Sequence, residues 1–150
     1  MIEHADLRIE RRYEAPPAAV FAAWSSAEAK ARWFMGPDDE WKSEPLELDF
    51  RVGGRERSVG RAAGGTVHTA NAIYWDIVEP ERIVFTYEML LDERRISVTL
   101  ATVELAADGN GTRLVFTEQG VFLDGLIDPA LREEGWGSLL DALGRALPEG

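Results

Sequence analysis

The sequence predicts an α+β fold in which an antiparallel sheet is combined with a long C-terminal helix. Three observations support this prediction. Apolar and polar residues alternate through the middle of the chain, as they do in strands with one buried face. Glycine-rich turn signals separate these segments, which is typical of hairpins. Beyond residue 128 the spacing of apolar residues changes to that of a helix.

The N-terminal part of the chain is predicted to form one strand and two short helices. Leu7–Tyr13 alternates in polarity, which favours a strand. Pro17 suits the first turn of a helix whose apolar residues recur at helical spacing. Ser25–Glu28 matches a capping box, so a second helix is predicted from there to residue 33 or 34, where Met35–Pro37 breaks it.

Six further strands are predicted in the middle of the chain, because β-branched or alternating segments there are bounded by turn residues. They are Leu46–Phe50, Arg55–Arg61, Thr66–Val78, Arg82–Leu91, Arg95–Leu105 and Thr112–Val121. Gly53-Gly54 and Asp108–Gly111 are turn signals, since glycine reaches the backbone conformations that tight hairpins need. With the first strand, this makes seven.

The C-terminal helix is predicted to begin at Asp128-Pro129, an N-cap followed by proline at the first helical position. About 20 residues long, it would span roughly 30 Å, enough to cross a sheet before Pro148 ends it. Its apolar residues recur at helical spacing: Leu131, Trp136, Leu139, Leu140, Leu143 and Leu147.

Two glycines flank the tryptophan of this helix, although each glycine costs roughly 1 kcal/mol relative to alanine. Gly135 and Gly137 lie about 100° to either side of Trp136 around the helix. Two explanations remain open: close approach of a strand, loop or ligand to the backbone, or tight packing on the short N-terminal helices.

The composition excludes several classes of function. With a net charge of −11 and no run of basic residues, the chain is expected to repel nucleic acid and anionic membranes. It has no cysteine, which excludes disulfides, thiolate nucleophiles and zinc–cysteine sites. Because neither a signal peptide nor an apolar run of about 20 residues is found, a cytoplasmic protein is expected.

The sequence shows no motif for a metal or a nucleotide. His4 lies near the terminus, and the pattern does not decide which face of its strand His68 occupies. Two histidines so placed do not predict a metal site. Glycine-rich phosphate loops, dinucleotide motifs and nucleophile elbows are all missing. We therefore expect no metal, no cofactor and no covalent or nucleotide-driven catalysis.

Six segments, in this order, are similar to a known family. They are Tyr13–Trp24, Ala31–Pro37, Leu48–Gly54, Ile77–Tyr87, Gly111–Leu114 and Glu134–Trp136. On these segments, which together span nearly the whole chain, the protein resembles the SRPBCC (START/Bet v 1-like) superfamily, in its activator of Hsp90 ATPase homologue 1-like branch. Residues 1–150 then form a single domain of this type.

The resemblance implies a helix-grip fold. A seven-stranded curled antiparallel sheet would surround the long C-terminal helix, with two short helices after the first strand and a cavity between sheet and helix. Members bind lipids, sterols or polyketides, or act as cyclases and aromatases. The eukaryotic co-chaperone of this branch has a further N-terminal domain that this chain lacks, so an Hsp90-type chaperone is not expected as a partner.

Strand alternation then predicts which residues face the cavity. The inner sets are Phe85, Tyr87 and Met89; Ile73, Trp75 and Ile77; Leu114, Phe116 and Glu118; and Thr99, Ala101, Val103 and Leu105. Tyr74 and Asp76 are expected on the outer face, although a bulge would reverse such an assignment. Asp49–Arg51, followed by Gly53-Gly54, is interpreted as structural: a strand end, an ion pair and a hairpin turn.

Twelve residues are the candidate ligand-binding set. They are Trp33, Phe34, Trp41, Phe50, Trp75, Phe85, Tyr87, Met89, Glu118, Phe122, Trp136 and Leu140. The aromatic members either form a packed core or line a pocket. Glu118 is either paired with an arginine or exposed at a strand end, or else it anchors a ligand or moves a proton.

Three hypotheses for function follow. The first is a non-enzymatic protein that binds a hydrophobic or aromatic small molecule. The second is a cofactor-free cyclase, aromatase or hydrolase in which Glu118 or His68 would move protons. The third is a protein-interaction module that presents its acidic surface to a basic partner. A homodimer is the common state of small soluble oligomers and is the expectation should the chain associate.

Overall fold

The computed structural model describes residues 1–35 and 41–148 of the chain. Within these residues it contains eight strands and three helices. In chain order they are β1 (Ile2–Tyr13), α1 (Pro17–Ala22), α2 (Ala27–Phe34), β2 (Trp41–Ser43), β3 (Glu47–Leu48), β4 (Arg55–Ala62), β5 (Val67–Val78), β6 (Arg82–Leu91), β7 (Arg94–Asp108), β8 (Gly111–Leu123) and α3 (Pro129–Ala146). Of the helices in this part of the chain, none combines the length and hydropathy needed to cross a bilayer.

The strands form one curled antiparallel sheet in the order β1-β8-β7-β6-β5-β4-β2, with β3 also paired to β4. The sheet has eight strands rather than the expected seven. Trp41–Ser43 forms the additional strand, and it pairs with the same edge of β4 as β3 does. The sheet therefore remains seven strands wide. The helices lie on its concave side, which confirms the helix-grip fold.

The two short helices follow the predicted pattern with one shift. Pro17 occupies the first turn of α1. The N-cap of α2 is Ser26 and not Ser25, and its side chain accepts a hydrogen bond from the amide of Ala29. α2 ends at Phe34. The predicted helix break at Met35–Pro37 is confirmed at Met35, the extended C-cap of α2, whereas Gly36 and Pro37 lie outside the described residues.

The long helix α3 lies across the sheet, and its buried face differs slightly from the predicted one. Asp128 caps α3 by accepting a hydrogen bond from the amide of Ala130. The buried residues of α3 are Arg132, Trp136, Leu140 and Leu143. Leu131, predicted on this face, is 57 % exposed. The buried face therefore starts one residue later, with a charged side chain in the first position.

The face assignment in β5 is wrong before its bulge. Ile73 lies between the buried Ala72 and Tyr74 and therefore points to the outer face, not the inner one. Trp75 is 56 % exposed on the same outer face, whereas Tyr74, expected outside, is buried on the inner one. The pairing of β5 with β6 shifts at Trp75, and such a bulge reverses the side-chain alternation. As a result Ile77 still packs against the core beyond the bulge, as predicted. The other three inner sets are confirmed, since their members are buried or pack against the core.

Candidate functional site

A cavity of about 240 Å³ lies between the sheet, α2 and α3. It opens beside α3, where Leu131 and Gly135 are exposed. Most of its wall is apolar, as in small-molecule sites generally. The apolar wall residues are Phe34, Ala70, Ala72, Phe85, Met89, Ile96, Ile127, Leu131, Trp136 and Leu139. The polar wall residues are Lys30, Glu56, His68, Tyr87 and Arg132.

A second hollow adjoins this cavity and is called the outer hollow here. It shares six wall residues with the cavity: Phe34, His68, Ala70, Met89, Gly135 and Leu139. Trp41 forms part of its wall, with its ring 4.8 Å from that of His68. The same ring lies directly on Gly60 of β4, where an added Cβ would be only 2.3 Å from it. Glycine at this strand position therefore makes room for Trp41.

Lys30 and Glu56 form a buried ion pair on the cavity wall, which we call the inner pair. The Lys30 ammonium lies 2.7 Å from Glu56 Oε1, and the two side chains are 1 % and 5 % exposed. The Tyr74 hydroxyl donates to the same oxygen at 2.7 Å. Burial and the neighbouring Glu56 carboxylate raise the pKa of Tyr74, so its hydroxyl remains a donor.

Aromatic rings surround the ammonium of Lys30. Its Nζ lies 4.3 Å from the centre of the Phe34 ring and 5.6 to 5.7 Å from those of Trp24 and Phe85. These distances permit cation–π attraction, which partly replaces the lost hydration of the charge. The inner pair thus places two opposite charges among aromatic side chains in the wall of the cavity.

Arg132 and Glu118 form a second buried ion pair, called the helix pair because Arg132 belongs to α3. Their charged atoms are 3.8 Å apart, and the two side chains are 6 % and 2 % exposed. Arg132 donates to the hydroxyls of Tyr87, Thr99 and Ser97. The Tyr87 hydroxyl donates to Glu118 and also accepts from the Trp136 indole. This network connects α3 to three strands.

The Glu118 side chain points inward, as predicted, but it does not line the cavity. It lies behind Tyr87 and borders a separate hollow of about 170 Å³ between β1, β8 and the start of α3. Burial raises the pKa of Glu118 to about 7, against the lowering effects of the Tyr87 hydrogen bond and the Arg132 charge. Glu118 can therefore exchange a proton near neutral pH, although its direct contacts are protein groups.

His68 faces the cavity at its junction with the outer hollow. Partial burial lowers the pKa of His68, so its imidazole is predominantly neutral at pH 7. Within residues 1–35 and 41–148, no three carboxylate or imidazole side chains are grouped so as to hold a metal ion.

The structure brings half of the predicted site residues together. Phe34, Phe85, Tyr87, Met89 and Trp136 line the cavity, and Trp41 lines the outer hollow. Five others are buried or partly buried but do not line either space: Trp33, Phe50, Glu118, Phe122 and Leu140. Of these, Trp33 donates to the Ala23 carbonyl, and Phe122 lies under Arg132. Trp75 lies on the opposite face of the sheet.

The charged wall residues were missed by sequence reasoning, although signals for them exist. Lys30 lies on the apolar stripe of α2, three and four residues before Trp33 and Phe34. Arg132 lies four residues before Trp136 on the stripe of α3. A charged residue on an otherwise apolar helix face must find a partner when it is buried. For Glu56, the only signal of burial is its position in β4 between two exposed arginines, where a strand places it on the opposite, inner face.

The glycines around Trp136 are not tightly packed. A Cβ added at Gly135 would meet nothing within 4 Å, and one at Gly137 would lie 3.5 Å from the guanidinium of Arg11. Gly135 borders both the cavity and the outer hollow. Tight packing against the short helices is therefore wrong for Gly135, and the missing side chain there leaves open space beside the cavity.

Comparison with solved structures finds the same fold in uncharacterised bacterial proteins. A Rhizobium leguminosarum protein is 47 % identical, with a TM-score of 0.92 over 97 % of this chain and 95 % of its own. A Rhizobium loti protein is 40 % identical, with a TM-score of 0.90 over 98 % and 99 %. A Chromobacterium violaceum protein is 28 % identical, with a TM-score of 0.80 over 96 % and 98 %.

A search of curated proteins finds no significant match to the chain.

The comparison with family models agrees with the fold. The model of the family "Activator of Hsp90 ATPase homolog 1-like protein" matches residues 14–148, which include both buried ion pairs and every wall residue of the cavity. The chain therefore belongs to the activator of Hsp90 ATPase homolog 1-like family.

Proposed function

We propose that the protein binds a hydrophobic or aromatic small molecule in the cavity between the sheet and α3. The observation that carries this proposal is that side chains leave about 240 Å³ unfilled under the helix. Because the space opens beside α3 and its walls are mostly apolar, a bound apolar ligand would remove apolar surface from water, which is favourable by roughly 25 cal/mol per Å².

The walls suit such a ligand in shape and chemistry. Phe34, Phe85 and Trp136 supply aromatic faces, and Met89 supplies a side chain that adapts to irregular shapes. The volume lies just below the range of about 300–1,000 Å³ for drug-sized ligands, so a body of one or two rings fits best. A longer ligand would extend into the outer hollow, which has a volume of about 390 Å³.

A filled-cavity variant tests the proposal. Gly135→Leu places a side chain where nothing lies within 4 Å of the added Cβ, and Gly135→Ala is the matched control. Calorimetric titration with naphthalene-based probes should show one binding site per chain in the wild type and in Gly135→Ala. In Gly135→Leu the affinity should fall at least about tenfold. Absence of binding by all probes, or equal affinity in all three proteins, would contradict the proposal.

A second candidate function is cofactor-free proton transfer, as in the cyclase or aromatase hypothesis. It requires at least two titratable groups around one cavity, and Lys30, Glu56 and His68 all line this one. Hydrogen–deuterium exchange next to the carbonyl of 2-tetralone, followed by NMR, tests it. Exchange above the buffer rate that is lost in Glu56→Gln would support catalysis. Binding of 2-tetralone without faster exchange would exclude it for this class of substrate.

A further inference from the structure

The inner pair lies on the cavity wall but away from the outer hollow. Lys30 and Glu56 line the cavity, and neither lines the space next to Trp41. A ligand that entered beside α3 would therefore meet the ion pair at the far side of an apolar space. Both side chains are at least 95 % buried, and Glu56 also borders an open hollow beside β3, so an occupant of the cavity would compete with water for the remaining hydrogen bonds of the pair.

The hydrogen bonds of this pair leave both a donor and an acceptor unused. The Lys30 ammonium has three N–H groups. One is directed to Glu56 Oε1 at 2.7 Å and one to the Tyr74 hydroxyl at 3.5 Å. Glu56 receives both of its bonds, from Lys30 and Tyr74, on Oε1. Among the described residues, Glu56 Oε2 thus keeps its lone pairs and Lys30 keeps one N–H.

The Tyr87 hydroxyl, on the same wall, differs in this respect. It donates to Glu118 and accepts from both Arg132 and Trp136, so its bonding capacity is filled by protein groups. A ligand oxygen placed there would have to displace one of these bonds. Of the Tyr87 hydroxyl and the inner pair, it is therefore the inner pair that keeps hydrogen-bonding capacity for a ligand.

A donor and an acceptor side by side match a particular ligand group. A hydroxyl can accept from Lys30 and donate to Glu56 Oε2 at the same time. A carboxylate would bring a second negative charge next to Glu56, and an ammonium a second positive charge next to Lys30. A methyl ether offers an acceptor only. A bare hydrocarbon leaves both protein groups without a partner.

We infer that the inner pair selects ligands that carry a neutral hydroxyl on their aromatic or apolar body, and this inference rests on the proposed function. The class is that of phenols and hydroxylated ring systems of one or two rings. The inner pair holds the hydroxyl, and the apolar wall of the cavity holds the rings.

A series of probes with one body and different polar groups tests this inference. The series is naphthalene, 2-methoxynaphthalene, 2-naphthol and 2-naphthoate, each titrated into the wild-type protein. One hydrogen bond to a charged group corresponds to an affinity gain of about ten- to hundredfold. 2-Naphthol should therefore bind at least about tenfold more tightly than 2-methoxynaphthalene, and 2-naphthoate should bind more weakly than 2-naphthol.

The outcomes separate the two proposals. If no probe binds, the proposed function fails. If 2-methoxynaphthalene or naphthalene binds as tightly as 2-naphthol, or 2-naphthoate binds more tightly, the cavity binds aromatics but the hydroxyl preference is overturned.

A variant that removes all polar atoms of the inner site locates the preference. Lys30→Met, Glu56→Met and Tyr74→Phe together replace the network with apolar groups of similar size, which buried ion pairs usually tolerate. This triple variant should bind naphthalene at least as well as wild type and lose the tenfold preference for 2-naphthol. The control, Arg82→Met with Asp76→Leu, removes an exposed ion pair and should keep the preference. A preference that survives in the triple variant would overturn the inference.

Discussion

The inner pair and the helix pair are both buried ion pairs, but they differ in how far the protein satisfies them. Arg132 and Glu118 share a network with Tyr87, Ser97, Thr99 and Trp136. Lys30 and Glu56 have one further partner, the Tyr74 hydroxyl, and they line the cavity. The helix pair therefore ties α3 to the sheet, whereas the inner pair keeps hydrogen-bonding groups that a ligand would use under the proposed function.

The largest expected effect comes from removing one charge of the helix pair. Arg132→Met leaves Glu118 buried without its cation and removes the donor to three hydroxyls, so it should cost about 3–5 kcal/mol. Lys30→Met also leaves a buried carboxylate, Glu56, without its cation, but it removes two hydrogen bonds rather than three and the open cavity lets water reach the carboxylate, so it should cost less, about 1–3 kcal/mol. Urea unfolding measures both. Equal costs would remove the distinction between the pairs.

The second prediction concerns pH and the helix pair. The pKa of Glu118 is 4.5 in the unfolded chain and about 7 in the folded one, so the folded state keeps this proton up to a higher pH. Stability from this group is complete below pH 4.5 and is lost as pH rises to 7, by roughly 3 kcal/mol. In Glu118→Gln this loss should vanish. We would compare urea unfolding of both proteins between pH 5 and 8.

Parallel curves for the two proteins would show that Glu118 titrates normally. Glu10, Glu88 and Asp124 cannot be mistaken for it, because their pKa values are lowered rather than raised. The neighbouring Arg95, for example, lowers the pKa of Glu88, so its contribution to stability is lost only as pH falls below its ordinary value.

A smaller effect compares the two carboxylates in ligand binding. Glu56→Gln keeps an acceptor for Tyr74 but removes the charge beside the proposed hydroxyl, so the affinity for 2-naphthol should fall about tenfold. Glu118→Gln should change the affinity by less than about threefold, because Glu118 lies behind Tyr87. Fluorescence titration gives both values. A larger effect of Glu118→Gln would return Glu118 to the binding site.

The smallest effect is expected where neither pair is touched. Gly135→Ala has free space for its methyl group, and alanine favours the helix by up to about 1 kcal/mol. Gly137→Ala should stabilise less, since its methyl group would lie in ordinary contact with Arg11. Thermal unfolding with both variants measures these gains. Destabilisation by Gly135→Ala would show that the backbone at this point is closely approached.

Much of the fold could be predicted because alternation and turn residues are local signals. β6 has the predicted bounds, and the hairpin at Asp108–Gly111 joins β7 to β8. Asp49 and Arg51 form the expected ion pair before the turn at Gly53. β2, in contrast, has three residues, too few to show a period. The bulge at Trp75 has no local signature, and the predicted faces of Ile73, Tyr74 and Trp75 are reversed because of it.

The site could be predicted only in its apolar part. Phe85, Tyr87 and Met89 follow from alternation in β6, and all three line the cavity. The inner pair joins two residues that are 26 positions apart in the chain, one in the helix α2 and the other in the strand β4. No periodicity relates two such elements, because their contact depends on how α2 packs on the curled sheet. For the same reason, alternation in β8 predicts that Glu118 faces inward but does not show that Tyr87 lies between Glu118 and the cavity.

The most direct test of the account is the position of a bound aromatic probe. In the complex with 2-naphthol, NMR should show nuclear Overhauser effects from its ring protons to the methyl groups of Ala72 and Met89 on the cavity wall. Effects confined to Val98 and Leu100, which are exposed apolar residues of β7 outside the cavity, would place the probe elsewhere and contradict the account.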